Sequence, residues 1–232
     1  MKKKLLFLGT VLLSLLLICG CTDKNSDAYK FKTEYESLNG TESASGKKIR
    51  EIVIEDDNPM IYKTAEEIVK MIEDKETFLV YFGFAKCPWC RSVLPTLLNV
   101  ADDLKLDTIY YVDVLEIRDT LELNDKNELI TKTKGTDGYY KLLELLNDIL
   151  DDYNMTDSNG KKIDTHEKRI YAPNVVAVVN GEAKEMVEGV SEKLEDPYGE
   201  ITEEMKKASI KQLKCIFKCI NEANVCTGPS SC

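Results

Sequence analysis

The chain has 232 residues, with 31 Lys and Arg residues against 41 Asp and Glu residues and a net charge of −10. An acidic chain of this kind repels nucleic-acid phosphates and anionic membrane surfaces, so we expect no nucleic-acid partner. The length fits one enlarged domain, or one domain with extensions.

The first twenty residues are predicted to be an export signal. Lys2, Lys3 and Lys4 precede the apolar run Leu5–Ile18, which is shorter than the ~20 residues that a helix needs to cross a bilayer. We therefore expect residues 1–20 to be removed. Three lysines and no acidic residue are lost with them, which takes the net charge from −10 to −13.

The stretch Ile18-Cys19-Gly20-Cys21 resembles the lipobox of bacterial lipoproteins. The resemblance implies that Cys21 becomes the first mature residue and carries the lipid. Several acyl chains, at ~0.8 kcal/mol for each buried methylene, give stable attachment. We expect a lipid-anchored protein on the extracytoplasmic face of the bacterial cell membrane. The alternative is ordinary cleavage nearby, with Cys21 as a spare thiol.

Composition divides the rest of the chain into three parts. Residues 21–47 are rich in Ser, Thr, Gly, Asn and charged residues, which favours a membrane-proximal spacer. Residues 48–223 show the apolar periodicity of one folded domain, and residues 224–232 form a Cys-rich tail.

The first half of the domain alternates predicted strands and helices. Thr64 and Glu67 form a capping box, which marks the start of a helix. The predicted strands are Lys48–Asp56, Phe78–Phe84 and Asp107–Val114, and the predicted helices are Ala65–Glu73, a segment through Val93, Leu97 and Val100, and a segment from Leu142 to Tyr153.

In the second half of the domain, the periodicity of the apolar residues changes. Two β-type runs, Val175–Val179 and Ala183–Val187, are joined at Asn180-Gly181, which is a strong signal for a two-residue hairpin. An amphipathic helix is predicted from Glu203 to Ala223. The order of elements predicts an α/β fold in which a sheet begun in parallel is closed by an antiparallel hairpin.

The chemistry of the chain is expected at Cys87-Pro88-Trp89-Cys90, between a buried strand and a helix. A Cys-x-x-Cys motif is either half of a zinc site or a redox pair. At a helix N-terminus, free N–H groups and the helix dipole favour the thiolate of Cys87. This position predicts Cys87 as the nucleophile and Cys90 as the resolving thiol. Trp89, in the loop entering the helix, is expected to form an exposed apolar contact surface beside the thiol rather than part of the core.

Two cations flank the cysteine pair. A cation near a thiolate lowers its pKa, which makes Lys86 a candidate for tuning Cys87 and Arg91 a weaker one. The alternative is that both side chains only solvate the rim of the site.

Three segments together resemble the thioredoxin superfamily: the strand FLVYFGFA, the site CPWC, and Tyr171-Ala172-Pro173 before the hairpin VVAVVNGEAKEMVEG. The resemblance implies a thioredoxin-like fold, with a central mixed sheet flanked by helices and a middle segment, 116–168, that is enlarged. It implies that Pro173 is cis and lies against the cysteines, and that Ala172 presents its backbone to a bound partner.

The run YFGFAKCPWCRSVLPTL is similar to the bacteriocin transport accessory proteins of Gram-positive bacteria. This similarity implies assistance to exported peptides or proteins that contain disulfides. One departure from thioredoxins concerns the buried Asp six positions before the first active-site cysteine, which helps to deprotonate the second. Tyr81 stands there in this chain, so the base for Cys90 is unassigned.

The sequence therefore predicts a thiol-disulfide oxidoreductase that works outside the cytoplasm, with exported disulfide-containing proteins as partners and no cofactor or metal. A membrane redox partner is compatible with this activity, and an oxidase, a reductase and an isomerase all need the same two cysteines. The alternative is a non-catalytic binding lipoprotein of the same fold, in which Cys87 and Cys90 form a static disulfide.

Four further cysteines lie near the C-terminus. Cys215 and Cys219 share one face of the last helix and are expected to lie away from its buried stripe. We favour structural disulfides Cys215–Cys232 and Cys219–Cys226, as expected in an oxidising exterior. A four-cysteine zinc site is the main alternative, and a second redox relay is another.

Overall fold

A computed structural model describes residues 23–221 of the chain. The helices are α1 (Asp27–Glu36), α2 (Ala65–Glu73), α3 (Pro88–Asp103), α4 (Val114–Ile117), α5 (Asp137–Leu145) and α6 (Glu203–Cys219), with a 3-10 turn at Asn147–Ile149. The strands are β1 (Met60–Tyr62), β2 (Phe78–Gly83), β3 (Ile109–Asp113), β4 (Thr120–Leu123), β5 (Leu129–Thr133), β6 (Asp152–Thr156), β7 (Lys162–Lys168), β8 (Asn174–Val179) and β9 (Glu182–Val187). The predicted signal peptide, Cys21 and the tail 224–232 lie outside the described residues.

The central sheet has five strands in the order β1-β3-β2-β8-β9. Strands β1, β3 and β2 are parallel, while β8 runs antiparallel to β2 and β9 antiparallel to β8. The predicted α/β class, with a mixed central sheet flanked by helices, is confirmed. Within residues 23–221, no helix is both long and apolar enough to span a membrane.

The sheet is covered on both faces, which explains why β2 reads as a continuous apolar run. Leu79 and Tyr81 point to the face packed by α1, α3 and α6. Val80 and Phe82 point to the opposite face, which is packed by α2 and α5. The cysteine motif follows the end of β2 and therefore lies at the edge of the first of these two layers.

Two local predictions are confirmed in detail. The Thr64 side chain accepts a hydrogen bond from the Glu67 N–H, and the Glu67 carboxylate accepts one from the Thr64 N–H, so the capping box is complete. Asn180 and Gly181 join β8 to β9 with φ angles of 52° and 76°. Positive φ at both central residues is what a type I′ hairpin turn requires.

The predicted strand Lys48–Asp56 is wrong, because this segment is extended but does not pair with the sheet. Ile52 and Ile54 are buried, while Val53 is 82% exposed. Side chains take the place of a neighbouring strand: the Ile52 N–H donates to Asn39 Oδ1 at 3.1 Å, and the Ile54 N–H donates to Glu36 Oε1 at 2.7 Å. Buried and exposed side chains do alternate along this segment. Its backbone N–H groups, however, donate to side chains and not to a neighbouring strand.

The structure also differs from the expectation that residues 21–47 are a spacer. Within this segment α1 packs against the sheet, and its side chains Phe31 and Tyr35 are fully buried in the core. The Ser26 side chain caps the helix by accepting a hydrogen bond from the Tyr29 N–H. The folded unit therefore includes α1, because two aromatic side chains supply apolar surface that the polar composition of the segment obscures.

The enlarged middle segment contains two antiparallel hairpins, β4–β5 and β6–β7, with α5 between them. The predicted helix from Leu142 to Tyr153 is partly wrong. Helix α5 begins earlier, at Asp137, and ends at Leu145, while Tyr153 belongs to β6. Leu142, Leu146 and Leu150 are all buried, so the apolar spacing reflected burial that continues beyond the end of the helix.

Candidate functional site

Two free thiols, Cys87 and Cys90, lie at the start of α3, shortly after the end of β2. Cys87 is the N-cap residue of α3, and its Sγ accepts a hydrogen bond of 3.1 Å from the backbone N–H of Cys90. A side chain at this position meets N–H groups that have no partner within the helix. Cys90 lies one turn further on and is completely buried, whereas Cys87 keeps 3% of its surface exposed.

The two thiols have opposed acidities. The pKa of Cys87 is lowered by a hydrogen bond from the Cys90 thiol, by the N–H groups of Cys90 and Trp89, and by the positive charge of Arg118. The pKa of Cys90 is raised well above its ordinary value by burial and then by its interactions with Cys87. The arrangement thus favours a thiolate at Cys87 beside a protonated thiol at Cys90.

The segment before β8 forms another wall of the site. The peptide bond between Ala172 and Pro173 is cis. The Cys87 Sγ lies 3.3 Å from the carbonyl oxygen of Ala172. Trp89 is half-buried and packs against the core beside the cysteines. The fold therefore brings together Cys87, Cys90, Trp89, Ala172 and Pro173, which the sequence had selected as site residues.

The cation that acts on Cys87 is Arg118, which sequence reasoning missed. Lys86 is exposed, and it is not among the groups with the largest effect on the pKa of Cys87. The Arg118 guanidinium lies 5.2 Å from the centre of the Phe84 ring, at the rim of the site. It follows the four-residue helix α4 and is remote from the motif in sequence, so only a preference for cations near thiolates could have drawn attention to it.

A buried ion pair anchors the backbone next to Arg118. Arg169 donates hydrogen bonds to the side chain and to the carbonyl oxygen of Asp119, and both side chains are almost completely buried. Arg169 itself lies just before the Ala172–Pro173 segment. The pair therefore joins the start of the middle insertion to the wall of the cysteine site, which holds Arg118 near Cys87.

Arg91 is not at the rim of the site, and both readings of it from the sequence are wrong. Its side chain is fully buried. The guanidinium donates to the carbonyl oxygens of Arg50 at 2.7 Å, Tyr35 at 2.8 Å and Ala85 at 3.3 Å, and to Asn39 Oδ1 at 2.7 Å. Arg91 thus ties α3 to α1 and to the segment that follows α1. Its role in the structure is to satisfy buried acceptors.

The expectation that Cys215 and Cys219 lie away from the core is also wrong. Both are buried, Cys219 within the core that α3 and α6 share, and both are disulfide-bonded. A sulfur in a disulfide is not a thiolate ligand, so this bonding state does not suit the zinc alternative. The favoured partners, Cys232 and Cys226, lie outside the described residues, and the pairing stays a prediction.

Among residues 23–221, no group of three or more His, Cys, Asp or Glu side chains is arranged to hold a metal ion. No protein-family model matches the chain, and no curated protein matches it either. The site itself and the resemblance seen in the sequence are therefore what indicate a function.

Proposed function

We propose that this protein is an extracytoplasmic thiol-disulfide oxidoreductase with a thioredoxin-like fold, in which Cys87 attacks and Cys90 resolves. The fold assignment is supported by the order of β2, the cysteine pair and α3, and by Pro173 leading into the β8–β9 hairpin. It agrees with the resemblance of the sequence to the thioredoxin superfamily and to bacteriocin transport accessory proteins.

The observation that carries the proposal is the opposed acidity of two adjacent free thiols. Disulfide exchange needs a thiolate to attack and a second thiol that waits for the mixed disulfide. The lowered pKa of Cys87 and the raised pKa of Cys90, with the backbone nitrogen of Cys90 3.1 Å from Cys87 Sγ, suit these two roles. A pair that served only as a static disulfide would have no need for unequal thiols.

The proposed reaction consists of two thiol-disulfide exchanges, in which atoms and electrons balance. The Cys87 thiolate attacks one sulfur of a substrate disulfide, forms a mixed disulfide and releases the other sulfur as a thiolate. Cys90 then loses its proton and attacks Cys87 Sγ. The bond between Cys87 and the substrate breaks, a Cys87–Cys90 disulfide forms, and the substrate has received two electrons. The reverse sequence oxidises a substrate dithiol.

The substrates in this proposal are exported proteins or peptides that contain disulfides. Trp89 offers apolar surface beside the nucleophile, and the backbone at Ala172 borders it from the other side. Both groups suit an extended polypeptide better than a small polar molecule. The lipid anchor at Cys21 and the membrane redox partner enter the proposal from the sequence alone.

A single-turnover experiment tests the proposal. Reduced protein is mixed with an excess of an aromatic reporter disulfide, and release of the coloured thiol is followed in a stopped-flow instrument. The intact pair should release two equivalents, Cys90→Ser one equivalent, and Cys87→Ser none on the same time scale. Equal, slow release by all three proteins would instead support the binding lipoprotein. The direction of exchange then follows from the reduction potential of the pair, measured by equilibration with glutathione.

A further inference from the structure

A groove begins at Lys86, the residue directly before the nucleophile. It is lined by Leu38, Thr41, Ile49, Lys86 and Tyr198, among other residues, and has a volume of about 550 Å³. We call it the Lys86 groove. Its volume lies within the range of ~300–1,000 Å³ that is usual for binding sites in proteins.

The first wall of the Lys86 groove is the segment between α1 and β1, which folds back on itself. The Ile49 N–H donates to the Thr41 carbonyl oxygen at 3.0 Å, and the Ser43 N–H donates to the Lys47 carbonyl oxygen at 2.9 Å. The turn between them passes through Gly46, whose φ angle is 74°. These backbone hydrogen bonds give the wall a defined shape before anything binds, which reduces the ordering cost of binding.

The second wall is the loop that carries Tyr198, between β9 and α6. Two contacts hold it against the first wall. The Lys47 Nζ lies 3.0 Å from Asp196 Oδ2 and 4.9 Å from the centre of the Tyr198 ring. The Arg50 guanidinium donates to the carbonyl oxygen of Pro197 at 3.0 Å. The two walls therefore form one unit.

Both walls are attached to the helix that carries the cysteines. Arg91 on α3 donates to the carbonyl oxygen of Arg50 at 2.7 Å and to that of Ala85, two residues before the nucleophile, at 3.3 Å. The hydroxyl of Ser92, also on α3, lies 2.9 Å from the carbonyl oxygen of Pro197. The same helix thus fixes the positions of the nucleophile and of the groove beside it.

The lining of the groove combines apolar surface with one positive charge. Leu38, Ile49 and Tyr198 are half-buried, so part of their apolar surface stays in contact with solvent. Apolar surface that is exposed within a polar rim is typical of interaction sites. The exposed Lys86 makes no ion pair with any residue of the described range 23–221. The groove is therefore complementary to apolar side chains next to a negative charge.

We propose that the Lys86 groove binds the part of a substrate polypeptide next to its reactive cysteine, with apolar side chains between Ile49 and Tyr198 and an acidic side chain against Lys86. This inference rests on the proposed function and deepens it by naming a class of substrate. An extended chain advances ~3.3 Å per residue. A substrate whose sulfur reaches Cys87 consequently places its neighbouring residues at the entrance of the groove.

Two reporter disulfides with the same aromatic leaving thiol test the proposal on the reduced full chain. In one, the aromatic thiol is bonded to the cysteine of a short peptide with an Asp next to this cysteine and several apolar residues beyond the Asp. In the other, it is bonded to mercaptoethanol. Cys87 attacks the non-aromatic sulfur, the disulfide breaks and the coloured aromatic thiolate leaves. The measured quantity is the ratio of the second-order rate constants, peptide over mercaptoethanol.

Substitutions in the two walls should lower this ratio. Ile49→Ser removes apolar surface from the first wall and Tyr198→Ser from the second, and each should reduce the ratio by about 5- to 20-fold. The matched control is Val53→Ser. Val53 belongs to the same extended segment as Ile49 and is 82% exposed, but it does not line the groove, so this variant should keep the ratio of the unmodified chain.

A charge reversal tests the acidic side chain of the substrate. Lys86→Glu should lower the ratio by about 3- to 10-fold for the Asp peptide and raise it by a similar factor for a peptide with Lys in place of Asp. Each rate constant is divided by that for the mercaptoethanol disulfide in the same variant. A general change in the reactivity of Cys87 therefore cancels, and the opposite response of the two peptides reports on Lys86 itself.

The outcomes separate this inference from the proposed function. Unchanged ratios in Ile49→Ser and Tyr198→Ser overturn the groove as a substrate site and leave the oxidoreductase proposal in place. An equal fall in Val53→Ser overturns it too, since the effect would not be specific to the groove. The same response of the Asp and Lys peptides to Lys86→Glu contradicts the acidic substrate side chain. If the unmodified chain reacts with neither disulfide through Cys87, the proposed function itself fails.

Discussion

The backbone N–H of Cys90 donates a hydrogen bond of 3.1 Å to Sγ of Cys87, the residue that caps the same helix. This contact joins the two thiols through the helix end itself. It stabilises negative charge on Cys87 in addition to the effect of Arg118, because the first N–H groups of a helix have no partner within it. The division of labour between the two cysteines follows from this geometry.

Trapping of mixed disulfides should show which cysteine attacks the substrate and which resolves. Cys90→Ser should accumulate mixed disulfides through Cys87, because the resolving thiol is missing while the attacking thiolate remains. The adducts are counted by non-reducing electrophoresis and intact mass after reaction with a disulfide-containing peptide. Cys87→Ser is the matched variant and should trap little, since Cys90 is buried and protonated. Efficient trapping by Cys87→Ser alone would reverse the roles.

Removal of Arg118 should weaken the thiolate of Cys87. Arg118→Gln removes a positive charge that lowers the pKa of Cys87, so this pKa should rise by about half a pH unit and thiol release at pH 7 should slow by about two- to threefold. The pKa is measured from thiolate absorbance in Cys90→Ser protein. Lys86→Gln is the control and should leave the pKa unchanged. If Lys86→Gln raised the pKa of Cys87 and Arg118→Gln did not, Lys86 would be the cation that lowers this pKa.

Stability should fall at alkaline pH. The pKa of Cys90 is raised in the folded state, so its contribution is complete below the pKa of the unfolded thiol and is lost as the pH rises toward the folded value. Between pH 9 and pH 10.5, Cys90 should account for about 2 kcal/mol of the loss in the free energy of unfolding. Urea unfolding of Cys90→Ala should show a correspondingly shallower pH dependence. Parallel curves for both proteins would contradict the burial of a neutral thiol.

Helix α1 should be essential for stability rather than a tether. Phe31→Ala removes a fully buried ring and should lower the free energy of unfolding by about 3–5 kcal/mol. Thr33→Ala, at an exposed position of the same helix, should change it by less than about 0.5 kcal/mol. Chemical denaturation measures both. If both substitutions changed the free energy of unfolding by equally small amounts, residues 21–47 would be a spacer as the sequence predicted.

The disulfides of the C-terminal region are accessible to mass spectrometry. Cys215 and Cys219 are disulfide-bonded, and we expect their partners to be Cys232 and Cys226 respectively. Non-reducing digestion should yield these two linked peptides, and reduction should add four hydrogens beyond those of the active-site pair. Free thiols that bind zinc at these four positions would contradict the prediction.

Local signals in the sequence determined much of this protein. The capping box at Thr64 and Glu67, the hairpin at Asn180-Gly181 and the cysteine pair after an apolar strand all depend on residues that are close together in the chain. Their hydrogen bonds span only a few residues, so their geometry can be predicted from spacing. They were sufficient to place Cys87 at the start of a helix and to predict a mixed sheet.

Only the tertiary structure decided which distant side chains act on the site. Arg118 approaches Cys87 from the start of the insertion, and α1 brings Glu34 within 3.4 Å of the Tyr111 hydroxyl in the core. The burial of Arg91 likewise depends on carbonyl groups from three separate segments. These contacts arise from packing between segments far apart in sequence, and neither composition nor periodicity encodes the direction in which such side chains point.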